Sequence, residues 1–175
     1  GSHAVSLGHS PDIYQAASPD AGMPTLYHAT TRSAAQSIDV QQRFRTGNKG
    51  YAGPGIYFSE DKDSTLFHCF NGRGGAEVIV HCRVDLGDVY HAHKNAANEH
   101  ICTVNGCDSV AVIGTDTYCV YDPERVQILM FEDVRTRRCF DSMHDLLQGN
   151  RPIVGAESSS SDGYSDDDGS SDGYY

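Results

Sequence analysis

The chain has 175 residues, 38% of them apolar, with a formal net charge of −11 and a mean hydropathy of −0.46. This length favours one domain, and no stretch approaches the roughly 18 consecutive apolar residues that a membrane span requires. The acidic balance disfavours nucleic-acid phosphate as the main partner. We therefore expect one small soluble domain with a polar appendage and no membrane partner.

The first half of the chain predicts short elements around a glycine-rich loop. Residues 1–3 (Gly-Ser-His) match the remnant of a cleaved purification tag, and residues 4–23 form a lead-in without periodicity. The predicted elements are a strand at Thr25–Thr30, a helix capped by Ser33 and ending near Gln42, a loop at Gly47–Gly55, a strand at Ile56–Phe58 and a helix from Asp61 to about Phe70. Alternation in the first strand places His28 and Thr30 on one face.

The second half predicts more strands and a closing helix. The strands are Ala76–Val84, Ser109–Ile113, Tyr118–Tyr121 and Val126–Val134, and the helix is Arg137–Gln148, ended by Gly149. Runs of strands with separate helices indicate an α+β domain, which we place at residues 24–150.

The end of the chain, residues 151–175, is polar and acidic. Its last twenty residues hold seven serines, six acidic residues and no basic residue, and the sequence Ser-Ser-Asp-Gly-Tyr occurs twice. Such a segment buries too little apolar area to offset the entropy lost on ordering. We predict a disordered tail, and a tail modified by phosphorylation is the alternative.

Cysteine usage favours a reducing compartment. The six cysteines show no Cys-x-x-Cys and no tight framework spacing. Cys82 and Cys119 fall inside predicted strands, where a thiol behaves as a small apolar residue. We expect an intracellular protein, cytoplasmic or nuclear, and a secreted effector is the alternative.

Five sequence pieces carry a family resemblance through their order. They are Leu-Tyr-His-Ala-Thr at 26–30, Gly-Ile-Tyr-Phe-Ser at 55–59, Cys-Arg-Val-Asp-Leu-Gly at 82–87, Cys-Asp-Ser-Val at 107–110 and Tyr-Cys-Val-Tyr-Asp at 118–122. In this order they resemble the catalytic domain of poly(ADP-ribose) polymerases, the His-Tyr-Glu class of ADP-ribosyltransferases. The resemblance implies two packed, mainly antiparallel β-sheets with a few short helices, and NAD as co-substrate.

The resemblance also implies roles for individual residues. His28 would bind the adenosine-side ribose of NAD, and Thr30 would contact a ribose or the nicotinamide carboxamide. His68 stands where the family has a second tyrosine that stacks on nicotinamide. The implied NAD-binding residues are His28, Ala29, Thr30, Gly55, Tyr57, Thr65 and His68. The implied catalytic residues are His28, Tyr57 and Thr117.

Thr117 is the largest departure from the family pattern, which has Glu at this position. The neighbouring Asp116 should point to the opposite face of the strand. A carboxylate stabilises the oxocarbenium-like centre that forms when the nicotinamide–ribose bond breaks, whereas a hydroxyl supplies no charge.

We therefore expect a mono-ADP-ribosyltransferase that modifies proteins, including itself through the acidic tail, and not a chain-elongating polymerase. One alternative is a catalytically inactive module that binds NAD or ADP-ribose. Another is a nucleic-acid ADP-ribosyltransferase or an RNA 2′-phosphotransferase.

Three further clusters have simpler interpretations. A zinc ion could be held by His91, His93, His100, Cys102 and Cys107. Their spacing matches no standard finger, so we favour a polar loop and no metal site. Cys69 beside His68 or His81 is a poor thiol nucleophile, because adjacent residues do not face each other. The basic run at 135–138 predicts a solvated helix start.

Overall fold

The computed structural model describes residues 22–69, 75–94 and 105–154. Its elements are β1 (Thr25–Thr30), α1 (Arg32–Gln41), β2 (Ile56–Ser59), α2 (Lys62–His68), β3 (Val78–Val84), β4 (Val89–Ala92), β5 (Ser109–Val112), β6 (Thr117–Val120), a 3-10 turn (Pro123–Arg125), β7 (Val126–Asp133), β8 (Cys139–Phe140) and α3 (Met143–Gln148). The strands form one sheet in the order β4-β5-β6-β2-β1-β3-β7-β8. Of these pairings only β4 with β5 is parallel, so a mainly antiparallel sheet with a few short helices is confirmed.

The expectation of two packed sheets is wrong, because the strands are joined across β1 and β2. These two strands pair only at Tyr27 with Ser59, whereas β1 pairs with β3 at six positions. The side chain of His28 adds a further bond across the junction, since its Nδ1 lies 2.7 Å from the Tyr57 carbonyl oxygen. We call this junction the seam, and it joins the half-sheet β4-β5-β6-β2 to the half-sheet β1-β3-β7-β8.

The larger core lies on the sheet face that α1 and α3 cover. Alternation in β3 sends Val78, Val80, Cys82 and Val84 to this face, and each is fully buried. A smaller apolar cluster of Ala52, Ala92, Val110 and Cys119 packs separately. Neighbouring residues in β6 contribute to different clusters, since Val120 belongs to the first and Cys119 to the second.

Two helix starts follow from capping side chains. At α2, which the sequence predicted from Asp61 onward, the Asp61 carboxylate caps the helix and accepts from the Ser64 amide at 2.9 Å. The predicted Ser33 cap is wrong, since α1 begins earlier and the Thr31 hydroxyl accepts from the Ala34 amide at 3.2 Å. Thr31 has the extended backbone that a capping residue requires.

The edges of the sheet differ from the prediction. Residues 137–148 do not form one helix, because Cys139 and Phe140 are buried as β8 against β7. The helix begins only at Met143, after the Ser142 cap. At the opposite edge β4 was not predicted, because His91 and its polar neighbours obscure an apolar pattern in a strand of four residues.

Parts of the predicted termini lie outside the described residues, namely 1–21 and 155–175. The body extends slightly past the expected boundary at residue 150, since the Ile153 amide donates to the Cys139 carbonyl at 2.8 Å. None of the helices in the described ranges is long and apolar enough to cross a membrane.

Candidate active site

A cleft of about 760 Å³ opens at the seam. Its lining residues are His28, Ala29, Thr30, Lys49, Gly50, Tyr51, Tyr57, Phe58, Ser59, Thr65, Phe67, His68, Cys69, Lys94 and Thr117. Every residue that the sequence predicted for the site belongs to this lining except Gly55. The volume lies within the range of small-molecule and nucleotide sites, about 300–1,000 Å³.

His28 is held in one orientation and one tautomer. A carbonyl oxygen only accepts hydrogen bonds, so the contact with Tyr57 places the ring proton on Nδ1. Edge contacts with Phe44 and Phe58 fix the plane of the imidazole. Burial lowers the pKa of His28 below its usual value of 6.5, although the bond to the Tyr57 carbonyl opposes this shift. The neutral ring therefore offers Nε2 as a hydrogen-bond acceptor.

The backbone of Ala29 is already hydrogen-bonded within the protein. Its amide donates to the Thr65 hydroxyl at 3.1 Å, and its carbonyl accepts from the Cys69 thiol at 3.4 Å. The Thr65 hydroxyl in turn donates to the Tyr27 carbonyl at 3.3 Å. A thiol is a weak donor, so a stronger N–H donor on a ligand would readily replace Cys69 at the Ala29 carbonyl.

Tyr57 contributes its ring to the cleft and its hydroxyl to the glycine-rich loop. The hydroxyl accepts from the Ala52 amide at 3.0 Å and donates to the Gly53 carbonyl at 2.5 Å. The Tyr121 hydroxyl donates to the Ala52 carbonyl, also at 2.5 Å. Burial raises the pKa of Tyr57 well above its usual range, so its hydroxyl stays protonated and serves to anchor the loop.

Gly55 has a packing role rather than a place in the cleft. A Cβ at this position would lie 2.3 Å from the Cys119 sulfur. Its carbonyl accepts from the Gly47 amide at 2.8 Å and closes the base of the loop. The sequence motif containing Gly55 therefore positions the loop, and the residues that face the cleft come from either side of it.

Helix α2 spans the seam and positions Thr65 and His68. The Ser64 hydroxyl donates to the Asp116 carboxylate at 2.6 Å, and the Asp61 amide donates to the same carboxylate at 3.1 Å. Asp116 immediately precedes β6 in one half-sheet, whereas the Thr65 bonds reach β1 in the other. The prediction that Asp116 and Thr117 point to opposite faces stays a prediction, because Asp116 lies outside β6 and its carboxylate bonds α2.

Thr117 lies in the lining and is buried. It pairs across the β2–β6 ladder with Ser59, which also lines the cleft. Among the described lining residues there is no carboxylate, and two lysines and two histidines are present. The lining is therefore basic, although the protein as a whole is acidic.

The zinc-site alternative, which the sequence analysis did not favour, loses one of its candidate ligands. Cys107 is disulfide-bonded, and a disulfide sulfur does not provide the thiolate that zinc requires. His100 and Cys102 lie outside the described residues. Because disulfides persist mainly in oxidising compartments, cysteine usage no longer supports the expected reducing compartment.

The second cysteine hypothesis was that the Cys69 thiol acts as a nucleophile. Burial raises the pKa of Cys69 to about 11, and its thiol donates to the Ala29 carbonyl. A protonated, buried thiol is a poor nucleophile, so the structure agrees with the preference against thiol catalysis.

One charged cluster was not recognised from the sequence. Glu132 is fully buried, and its Oε2 accepts from His81 Nε2 at 2.6 Å and from Lys62 Nζ at 3.2 Å. Arg137 Nε lies 2.8 Å from Oε1. Burial disfavours the charged form of Glu132, but the His81 bond and the two cations outweigh it and lower the pKa. The sequence feature that could have indicated this cluster is a Glu within the apolar strand Val126–Asp133. A carboxylate buried in such a strand requires charged or hydrogen-bonding partners.

This cluster has three groups with metal-ligand chemistry, His81, Glu132 and Cys139, whose ligand atoms lie within 4.8 Å of one another. A metal ion there would have to displace Lys62 and Arg137 from the carboxylate that they neutralise. The arrangement is therefore an ion-pair network that fixes α2 to β7.

Comparison with known proteins adds no identification. Neither a family model nor a curated protein matches this sequence. The functional interpretation therefore depends on the short motifs and on the geometry of the cleft.

Proposed function

We propose that the cleft binds NAD and that the domain transfers a single ADP-ribose to a protein side chain, with release of nicotinamide. The observation that carries this proposal is that the residues in question meet in one place. His28 from β1, Tyr57 from β2, Thr65 from α2 and Thr117 from β6 come from four separate segments and line one cleft. These are the residues that the resemblance to ADP-ribosyltransferases selects.

His28 suits the ribose-binding role because of its tautomer. With the proton held on Nδ1 by Tyr57, the Nε2 atom accepts a hydrogen bond from a ribose hydroxyl. The lowered pKa keeps this acceptor available at neutral pH. A protonated imidazole would instead donate, so the hydrogen bond between His28 and Tyr57 determines which ligand group the site accepts.

The carboxamide of nicotinamide fits the groups around Ala29. Its N–H donor would replace the weak Cys69 thiol at the Ala29 carbonyl, and its oxygen would compete for the Ala29 amide beside Thr65. The ring of Tyr57 provides an aromatic wall nearby. Each polar group of the carboxamide thus has a partner in the protein.

Thr117 limits the chemistry to a slower, single transfer. In the reaction the ribose C1′–nicotinamide bond breaks with its electron pair going to the nicotinamide nitrogen, and an acceptor oxygen bonds to C1′. Without a carboxylate in the described lining, an acceptor carboxylate would bring the negative charge that stabilises the ribose cation. Chain elongation is disfavoured, because Thr117 cannot take the proton of an acceptor hydroxyl.

The lack of a carboxylate among the described lining residues also supports a second candidate, a module that binds NAD or ADP-ribose without transferring it. The two candidates share the same bound ligand and differ only in chemistry at C1′. An assay that scores binding and transfer separately will distinguish them.

The test is intact-protein mass spectrometry after incubation with NAD, combined with calorimetric titration of NAD. The variants are His28→Ala, Thr117→Glu and, as a control for added charge outside the cleft, Thr136→Glu. We expect a gain of one ADP-ribose on the wild type, loss of the gain in His28→Ala, and a rate increased about 10²–10³-fold in Thr117→Glu.

The results separate the proposals. Binding without any mass gain on the wild type, but a gain on Thr117→Glu, would support the inactive module. If the wild type does not bind NAD in the titration, both proposals are wrong.

A further inference from the structure

The rim of the cleft carries two positive charges without an acidic partner in the described part of the protein. Lys49 belongs to the loop at 47–55, and Lys94 follows β4; both are exposed and both line the cleft. In the described ranges neither lysine lies in an ion pair, whereas Lys62 is paired with Glu132. A concave surface with unpaired charge of one sign attracts ligands of the opposite sign.

Tyr51, on the same loop as Lys49, contacts Lys94. The Lys94 ammonium lies 5.0 Å from the centroid of the Tyr51 ring, which is the geometry of a cation–π contact. Tyr51 is two residues after Lys49 on the same loop. This contact leaves the positive charge of Lys94 available to an anion, because an aromatic ring carries no net charge.

The loop presents Lys49 and Tyr51 from an anchored base. Gly50, between them, packs so closely on Tyr57 that a Cβ would lie 2.1 Å from the hydroxyl oxygen. The Tyr57 and Tyr121 hydroxyls bond the loop at Ala52 and Gly53. A charged group on a fixed base loses less conformational freedom when it binds a ligand.

We propose that Lys49, Tyr51 and Lys94 form an anion subsite that binds the diphosphate group of the dinucleotide. The inference rests on the proposed function, because it assumes that the nicotinamide end lies near Ala29 and Thr65. A diphosphate diester carries two negative charges at neutral pH, which two lysine point charges match. The adenosine-side ribose, which the resemblance assigns to His28, is attached to the end of the diphosphate that is farther from nicotinamide.

The anion subsite divides the ligand into two halves with different affinities. ADP-ribose contains the diphosphate and would contact Lys49 and Lys94, whereas nicotinamide would contact only the groups around Ala29. We therefore expect ADP-ribose to bind more tightly than nicotinamide. After bond cleavage nicotinamide would leave first, while the ADP-ribosyl group stays in place for the acceptor.

The experiment titrates ADP-ribose and nicotinamide into the wild type and into the double variant Lys49→Gln/Lys94→Gln. The matched control is Arg135→Gln/Arg138→Gln, which removes two exposed positive charges outside the lining. We expect the lysine variant to bind ADP-ribose about 10–100-fold more weakly and nicotinamide unchanged, with both affinities unchanged in the control. Raising the salt concentration should weaken ADP-ribose binding to the wild type more than to the lysine variant.

The outcomes distinguish this inference from the proposed function. Unchanged ADP-ribose affinity in the lysine variant overturns the anion subsite and leaves the proposed function intact. An equal loss of nicotinamide affinity also overturns it, since the lysines would then act through the loop. Lysine-dependent ADP-ribose binding by a protein that binds neither nicotinamide nor NAD would support the subsite and refute the proposed function.

Discussion

Two charged regions of this domain differ in burial and in ion pairing. The Glu132 cluster is buried and compensated, with one carboxylate surrounded by Lys62, Arg137 and His81. The cleft rim is exposed, and its lysines have no acidic partner among the described residues. A buried charge must be neutralised within the fold. A charge at the surface is stabilised by water and can therefore stay unpaired until a ligand binds. The comparison assigns a stabilising role to the first region and a binding role to the second.

The largest effect is expected from Glu132→Gln. The substitution leaves Lys62 and Arg137 without the buried carboxylate that they contact, and breaking a buried ion pair costs about 3–5 kcal/mol. The free energy of unfolding, measured in urea, should fall by that amount. Nicotinamide affinity, measured on the fraction that remains folded, should stay close to the wild-type value.

The control for this variant is Glu124→Gln, which breaks the exposed pair with Arg43. Its cost should stay below about 1 kcal/mol, because solvent screens exposed pairs. Equal destabilisation by the two variants would show that the Glu132 cluster is not a stabilising network.

A smaller effect is expected from Tyr57→Phe, which keeps the ring and removes the hydroxyl from the loop. The Ala52 amide and Gly53 carbonyl lose their partner, so the unfolding free energy should fall by about 1–2 kcal/mol. Because the loop carries Lys49, ADP-ribose affinity should weaken more than nicotinamide affinity in titrations. The control is Tyr90→Phe, since no hydrogen bond is made by the Tyr90 hydroxyl within the described ranges. An unchanged ADP-ribose affinity would contradict the anchoring role of Tyr57.

The smallest effect is a difference in pH dependence between the two regions. The folded pKa of His28 is below its usual 6.5, and that of Glu132 is below its usual 4.5. In each case the unfolded chain binds the proton first, so stability is lost as the pH falls below the usual value toward the folded one.

The wild type should lose stability in two steps, one below about 6.5 and one below about 4.5. His28→Gln should lack the contribution of His28 to the first step and retain the second, as measured by urea unfolding at a series of pH values. If the first step is unchanged in His28→Gln, the imidazole is not held neutral by the fold.

The sequence predicted elements whose apolar residues follow a local pattern. Strand β3 was identified because Val78, Val80, Cys82 and Val84 recur at every second position. The prediction failed where tertiary contacts decide the structure. Cys139 and Phe140 are buried by pairing with β7, and nothing local in a run that also suits a helix indicates this pairing.

The sequence predicted which residues line the cleft, but not which hydrogen bonds and ring contacts hold them in place. The motifs selected His28, Tyr57, Thr65 and Thr117, and all of them line the cleft. The bond from the Tyr57 hydroxyl to the loop, and the approach of Lys94 to Tyr51, depend on segments brought together only by folding. Side-chain spacing along the chain contains no information about such contacts.

The single ladder pair at the seam has a thermodynamic consequence. With so few backbone bonds between β1 and β2, amide protons of β2 beside the seam should exchange earlier than those of the β1–β3 ladder, which pairs at six positions. A dinucleotide bound in the cleft as proposed would contact both sides of the seam and oppose separation of the two half-sheets. Occupancy would then appear as slower exchange at β1 and β2 and as a higher melting temperature that rises with ligand concentration.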